Sequence, residues 1–263
     1  MSTPPQIALT IAGFDPSSGA GVTADLFVFN AFGLFGTSCI TALTVQSTTG
    51  LRQVQPVAPD LLGATLDELE SDLAAAGVKI GMLGGAAAVR AVAAWLQRTP
   101  KRTVVLDPVL VSSSGAPLLD GEGVRALIAE LLPLVDWVTP NRAELAVLSG
   151  LSDVEQGMRG LAQRFPHLHI VATGGDDDPP TDRLLTPGGE LQSFSGEHVA
   201  TTSTHGTGCA FSSALLCRLL ARDGPEEAVR AAKAYVTEAL RQAPGVGKGK
   251  GPLGLLWPLR DKA

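Results

Sequence analysis

Ile7 to Leu26 reads IALTIAGFDPSSGAGVTADL, and this stretch sets the fold class. Ile7 to Ala12 is a short β-branched run, which predicts a buried strand. It opens into a loop rich in glycine and serine, and the loop feeds a helix expected from about Gly21 to Phe32. Strand, glycine loop and helix in that order make the ligand-facing unit of an open parallel sheet. The loop fits neither GxGxxG nor Walker A spacing, so it does not by itself assign a nucleotide. Asp25 lies in the helix among Ala24, Leu26 and Phe27. Its carboxylate is either a solvated helix residue or a ligand-facing acceptor, and the local pattern favours the first.

The alternation continues along the chain. Thr37 to Gln46 and Leu51 to Val57 read as strands, and a helix follows from Pro59. Gln46 closes its strand with an amide that can both donate to and accept from a heteroaromatic ring, or that water satisfies in a loop. Val78 to Met82, Ala86 to Gln97 and Thr103 to Asp107 give strand, helix, strand. Asp107 either faces the crevice where open α/β sheets bind ligands or caps a turn. Gly121 to Leu132 reads as a helix, and Trp137 to Thr139 as a short strand entering TPNRAEL. There Asn141 and Glu144 stand three apart at a helix start, placed either to cap it or to back a hydrated Mg²⁺. Ile170 to Thr173 opens into GGDDDPPTD, whose consecutive aspartates are expected in a solvated loop rather than on a metal. Arg183 to Thr186 and Leu191 to Phe194 read as a hairpin, Pro225 to Ala243 as a helix, and GVGKGKGPLG as a surface loop.

Ser203 to Gly224, STHGTGCAFSSALLCRLLARDG, places Gly206 and Gly208 just before an almost wholly apolar run. Phe211, Ala214, Leu215, Leu219 and Leu220 recur at helical spacing, which predicts a helix buried on most sides. A buried helix start needs something to meet its free N–H groups. Glycines let that backbone approach a ligand, and the helix dipole favours an anion there. Cys209 in the first turn feels the same field, which stabilises a thiolate. The pattern predicts a phosphate cradle with an activated side chain at its lip. Gly-x-Gly before a helix is a weak signal on its own, and most such matches are ordinary turns and caps.

Composition bounds the rest. With 263 residues, 45% hydrophobic and 17% charged, the chain can bury a large core within one α/β domain. A net charge of −6 without a basic cluster argues against nucleic acid as a partner. Three cysteines, Cys39, Cys209 and Cys217, lack metal-ligand spacing and cannot all pair, which points to a reducing compartment. The first residues lack the basic flank of a signal peptide, and no run approaches the ~20 apolar residues of a membrane span. A cytoplasmic protein is expected.

In this setting the chain resembles the hydroxymethylpyrimidine/phosphomethylpyrimidine kinases of the ribokinase-like superfamily. LTIAGFDPSSGAGVTADL, ITALTVQSTTG, KIGML, LDPVL, VTPNRAE and STHGTGC occur in that family's order, from Ile7 to about Pro252. The resemblance implies a three-layer αβα fold with a mostly parallel central sheet, a single domain over 1–263, and a homodimer. It implies ATP with Mg²⁺ and successive phosphorylation of 4-amino-5-hydroxymethyl-2-methylpyrimidine and its monophosphate in thiamine biosynthesis. By the same resemblance, Gly13, Asp25, Gln46, Met82 and Val109 line the pyrimidine pocket. Gly206 and Gly208 form the anion hole, and Cys209 is the catalytic residue. Asp107, Asn141, Thr173, Gly175 and Thr207 serve the nucleotide, with Asn141 and Glu144 behind the waters of Mg²⁺.

The chain also departs from the family. Thr173-Gly174-Gly175-Asp176 stands where Lys-Gly-Gly-His is usual, Ser113 where a lysine is frequent, and Phe14 where a small or polar residue is commoner. Two cations expected near phosphates are thus missing. A pyridoxal kinase of the same fold is the alternative reading, opposed by Gln46, whose paired donor and acceptor suit an aminopyrimidine edge. A non-catalytic pyrimidine-binding protein is the rival from another class; the missing lysines favour it, while Cys209 and the two glycines oppose it.

Overall fold

Leu9 and Ile11 enter one apolar cluster while Ala8, next to Leu9 on the strand, enters the other. Val104 and Leu106 against Val105, and Ile170 and Ala172 against Val171, divide in the same way. Period-two strands covered on both faces produce this division, and it makes three layers. The computed structural model describes residues 4–260 apart from 113 and 176. Its elements are β1 (Ile7–Phe14), α1 (Gly21–Ala31), β2 (Phe35–Ser47), β3 (Gly50–Pro56), α2 (Pro59–Asp72), β4 (Gly77–Ile80), α3 (Ala86–Arg98), β5 (Thr103–Leu106) and α4 (Gly121–Ala126). There follow β6 (Trp137–Val138), α5 (Arg142–Ser149), α6 (Val154–Arg164), β7 (His169–Ala172), β8 (Thr181–Leu185), β9 (Leu191–Ser195), α7 (Thr207–Leu220), α8 (Pro225–Arg241) and α9 (Trp257–Arg260). The strands form one sheet in the order β3-β2-β1-β4-β5-β6-β7-β8-β9. Its centre, from β2 to β7, is parallel, and β3, β8 and β9 join antiparallel at the edges. The α/β class with a mostly parallel sheet is as expected.

Four expectations need correcting. The helix expected over Gly121 to Leu132 keeps α-helical form only to Ala126; a π-helical segment Leu127–Leu131 and a 3₁₀ turn Leu132–Leu134 follow. Pro133 gives the physical reason, since it lacks an N–H and crowds the turn before it. α6 was not anticipated, although Asp153 caps it and Met158 and Leu161 are buried at helical spacing. The glycine-rich tail is not merely a surface loop: Leu253 and Leu255 are buried, and a Cβ on Gly249 would lie 2.1 Å from the Thr48 carbonyl oxygen. In the aspartate run, Asp177 is paired with Arg142 and Arg183 rather than simply solvated, and Asp176 lies outside the described residues.

α1 and α7 pack against the same face of the sheet and against each other. Gly77 allows the approach of α7, because a Cβ there would meet Leu216 Cδ1 at 2.8 Å. Two residues on, and so on the same face, Lys79 Nζ lies 3.0 Å from both oxygens of Asp25, with both side chains 0% exposed. Thr10, which pairs with Lys79 between β1 and β4, donates to Asp25 Oδ2 at 2.6 Å, and Ser213 of α7 donates to Oδ1 at 2.7 Å. One carboxylate thereby ties β1, β4, α1 and α7 together. Lys79 is pulled down by burial, but Asp25, with Cys209 and Asp107 behind it, outweighs this and holds it above its ordinary range, so it stays charged.

Lys79→Met strands the Asp25 charge in the interior, and removing one partner of such a pair typically costs about 3–5 kcal/mol. Thermal unfolding followed by circular dichroism is expected to show Tm lowered by about 10 °C. Lys79→Met combined with Asp25→Asn loses less than Lys79→Met alone, because no bare charge remains.

Candidate active site

Two helix starts meet at the end of the parallel strands. α7 begins from Gly206, which has φ +86° and ψ 16° and no side-chain cap. A Cβ on Gly206 would lie 1.9 Å from the Gly19 carbonyl oxygen, and one on Gly21 (φ +61°) would lie 2.1 Å from the Gly13 carbonyl oxygen. Glycine is required at both places by φ and by contact. α1 also starts without a side-chain cap, and the Gly21 N–H reaches the Cys209 sulfur. Free N–H groups from two helices therefore converge on one spot, which suits an anion. Gly208 is different: its φ is ordinary, and an added Cβ would stand 3.8 Å from Asp107 Oδ2. Gly206 is demanded by the backbone; Gly208 keeps the space before Asp107 open.

Asp107 follows β5 and is buried. Burial raises its pKa, Lys79 opposes the shift, and Asp25 adds to it. Its carboxylate accepts hydrogen bonds from Ser212, at 3.4 Å, and from Cys209. The expected thiolate at Cys209 is overturned. Burial pushes the thiol up to about 12; Lys79 pulls it back, and the carboxylates of Asp107 and Asp25 raise it further. The helix dipole acts on this sulfur, but the enclosed acidic surroundings win.

Of the two readings of Asn141 and Glu144, capping is realised. Asn141 Oδ1 accepts from the Glu144 N–H at 2.9 Å, and Glu144 Oε2 accepts from the Asn141 N–H at 2.9 Å. Glu144 Oε1 also accepts from the Leu110 N–H at 3.3 Å. Burial, and then the Asp107 charge, push the Glu144 carboxyl up to about 8. Two buried carboxylates, the Asp107 charge hindering the ionisation of Glu144, fit a divalent cation arriving with phosphates. Among the described residues no group of three His, Cys, Asp or Glu forms a ready-made metal site.

A cleft of about 260 Å³ runs from this anion spot along α7 and α8, lined by Thr173, Gly175, Thr207, Gly208, Phe211 and Lys233 among others. Thr173, Gly175 and Thr207 thus line one cleft; Asp107 lies near its Gly208, and Asn141 is bridged to its Thr173. Lys233 Nζ bonds Asp182 Oδ2 at 2.9 Å, and Asp182 accepts the Gly174 N–H at 3.0 Å. A second cleft, of about 250 Å³, is lined by Gln46, Ser114, His205, Gly249 and Lys250 with neighbouring residues of the β2–β3 turn. Gly13 and Met82 touch, a Cβ on Gly13 coming 2.8 Å from the Met82 sulfur, and the Val109 N–H donates to the Asp107 carbonyl at 2.8 Å. Asp25 needs correcting on both counts. It is neither solvated nor open to a ligand, because Lys79, Thr10 and Ser213 occupy its oxygens in the interior. Ser113 lies outside the described residues. The sequence reading missed Asp15, Lys79, His205 and Lys233. For Lys79 a signal existed: one lysine in an apolar strand and one aspartate in an apolar helix are candidates to pair.

Residues 15–254 match the family model described as phosphomethylpyrimidine kinase. The hydroxymethylpyrimidine/phosphomethylpyrimidine kinase of Salmonella typhimurium is 43% identical over 94% of this chain and 96% of that protein. The thiamine biosynthesis multifunctional protein ThiED of Corynebacterium efficiens is 42% identical over 93% of this chain and 34% of its own length. Among solved structures, the pyridoxal kinase of Staphylococcus aureus in complex with ADP superposes with a TM-score of 0.85 and 29% identity, over 97% of this chain and 94% of that one.

Gly206→Ala is expected to destabilise the fold by more than about 2 kcal/mol, whereas Gly208→Ala leaves Tm nearly unchanged; thermal melts of the pair check this. Glu144 predicts a pH dependence. Its folded-state pKa, about 8, is above the unfolded value of 4.5, so its carboxyl favours the fold fully below pH ~4.5 and loses that contribution as pH rises to ~8. In chelator, Tm should therefore fall between pH 5 and 8.5, and Glu144→Gln, which keeps an oxygen to accept from the Asn141 N–H, should flatten that slope.

Proposed function

The chain belongs to the phosphomethylpyrimidine kinase family, and we propose that the joined starts of α1 and α7 form its phosphoryl-transfer centre. It is a hydroxymethylpyrimidine/phosphomethylpyrimidine kinase of thiamine biosynthesis. It phosphorylates 4-amino-5-hydroxymethyl-2-methylpyrimidine and then the monophosphate, with ATP as donor. The observation that carries the placement is the uncapped α7 start at Gly206, opening onto the cleft that Thr173, Gly175 and Lys233 line. ATP occupies that cleft with its phosphates toward α7, and the whole chain acts as one kinase domain.

Charge that grows on the transferred phosphoryl group meets N–H donors already in place at Thr207, Gly208 and Cys209. Such preorganised donors are worth about 10²–10³ in rate each. Phosphoryl transfer asks for positioning and charge stabilisation more than covalent chemistry from the protein. Lys79 contributes a fixed positive charge beneath Asp107 and Cys209. Asn141, Glu144 and Asp107 are the groups that would hold Mg²⁺ through its waters, and when bound it neutralises phosphate oxygens. Gln46 meets the edge of the pyrimidine, with Gly13, Met82 and Val109 around the ring.

The hydroxymethyl group must lose a proton as it attacks. Cys209 is a neutral thiol that donates to Asp107, so the proton passes to the sulfur as the thiol proton passes to the Asp107 carboxylate. The monophosphate, with a second pKa of about 6, is already mostly dianionic and needs no such relay. We place the enzyme in the cytoplasm, where the free Cys39, Cys209 and Cys217 stay reduced. The exposed Phe35, Leu43 and Val45 of β2 support a homodimer.

Product analysis with the pyrimidine, its monophosphate and pyridoxal offered in parallel, with and without Mg²⁺, tests the reading. Phosphorylation of both pyrimidines is expected, and it should be lost in chelator. Gly208→Val fills the space before Asp107 and should lower both steps by about 10² or more in a folded protein. Cys209→Ala should lower the first step by about 10²–10⁴ and the second far less. Equal losses in the two steps would give Cys209 a role in site geometry instead of proton transfer.

A further inference from the structure

Gln46 does not stand alone on its cleft. Its Nε2 lies 3.0 Å from Nε2 of His205, and the same ring nitrogen lies 2.8 Å from Oδ2 of Asp15. Asp15 is itself fixed: Oδ1 accepts from the Ser17 N–H at 2.9 Å and the Ser17 hydroxyl at 2.7 Å, and Oδ2 accepts from the Ala20 N–H at 3.0 Å. The imidazole is wedged against this loop, where a Cβ on Gly19 would come within 2.4 Å of its Cδ2. Both side chains are buried, Asp15 to 5% and His205 to 8% exposure.

A ring nitrogen carries at most one hydrogen. If His205 Nε2 were bare, it would set a lone pair against a carboxylate oxygen at 2.8 Å. If it carries the hydrogen, it makes a charge-assisted bond, roughly twice as strong as a neutral one. Burial raises the Asp15 pKa, but the bonds from His205 and Ser17 outweigh it and hold the carboxyl below its usual range. The hydrogen therefore sits on Nε2. The Gln46 atom 3.0 Å away must then accept, since an amide N–H there would meet another N–H. The two ends of a terminal amide are distinguished by such partners, and these partners set Oε1 against His205. Among the described residues, the NH₂ end and the second lone pair of Oε1 are left to whatever occupies the cleft.

We propose that Asp15, acting through His205, pins the Gln46 amide in one orientation, so that Gln46 accepts the 4-aminopyrimidine edge and rejects the 4-oxo ring. This rests on the reading that Gln46 meets the pyrimidine. An unpinned glutamine serves either edge, because half a turn about its last bond exchanges donor and acceptor. The 4-amino ring presents a donor, its amino group, beside an acceptor at N3. The 4-oxo ring presents an acceptor beside N3–H, the reverse order. A pinned amide matches one order and meets the other donor to donor. Asp15 and His205 are positioning residues, and neither has to touch the ring.

The test compares kcat/KM for 4-amino-5-hydroxymethyl-2-methylpyrimidine and its 4-oxo analogue, using the full chain with ATP and Mg²⁺. The unaltered protein is expected to favour the amino ring by ~100-fold or more, since a mismatch strands polar groups on both sides. Asp15→Asn can offer His205 a donor as well as an acceptor, which frees the ring hydrogen to move and Gln46 to turn. The preference should then shrink by about 10-fold or more, whereas a merely structural Asp15 would lower both rates and leave their ratio. His205→Gln, whose own amide can turn with Gln46, gives the same readout if Asp15→Asn does not fold. Gln46→Met separates the two layers of the argument. A preference unchanged in Gln46→Met would remove Gln46 from the ring and overturn the underlying reading as well. A preference lost in Gln46→Met but kept in Asp15→Asn and His205→Gln would leave Gln46 on the ring and overturn only the pinning.

Discussion

The buried contact between Lys79 and Asp25 is the constraint on which the geometry of the site depends. Two full charges taken out of water are seldom a net gain over an apolar pair of the same size. What the contact contributes is position. Asp25 reaches from α1 to a strand lysine, a strand threonine and a serine of α7, so the two helices cannot slide along the sheet without breaking several charge-assisted bonds. With the helices held, the start of α7 closes on the loop before α1, where a Cβ on Gly206 would strike the Gly19 carbonyl oxygen. The convergence of free N–H groups follows from that close approach.

Around the convergence the electrostatics are arranged against anionic charge on the protein itself. Asp107 and Glu144 are both buried and both made weaker acids, and Cys209 is kept a neutral thiol by the same surroundings. A site in this condition takes up positive charge readily, which suits the proposed arrival of a cation with nucleotide phosphates. The lysines missing at Thr173 and Ser113 do not leave the proposed nucleotide cleft without a cation. Lys233 stands on its wall, tied through Asp182 to the backbone of Gly174 in the loop that follows Thr173.

Sequence and structure part where a side chain's state depends on partners far along the chain. Asp25 looked solvated because a helix with apolar neighbours on both sides gives no face on which to judge one carboxylate. Its partner lies 54 residues away in a strand whose apolar run made Lys79 easy to pass over. Cys209 was read from a local field, and the shift went the other way because burial and two distant aspartates outweigh a helix start. The tail was read from composition, yet its glycines serve close packing as well as freedom: Gly249 meets Thr48 and Gly254 meets Gln242.

Taken alone, the sequence determined the alternating strands and helices, the parallel sheet and the glycine-marked start of α7. It also put Asn141 and Glu144 together at a helix start, either as caps or behind a hydrated Mg²⁺, because these are short-range matters of periodicity, turn chemistry and spacing. The family could be read for the same reason, since its motifs are contiguous. Only the tertiary structure decided which groups stay charged, which carboxylate is enclosed, and which glycine the backbone requires. It also brought Asp15, Gln46 and His205 to one point from three parts of the chain. Protonation and hydrogen-bond polarity depend on burial and on partners across the fold, and neither is encoded in the residues next to them.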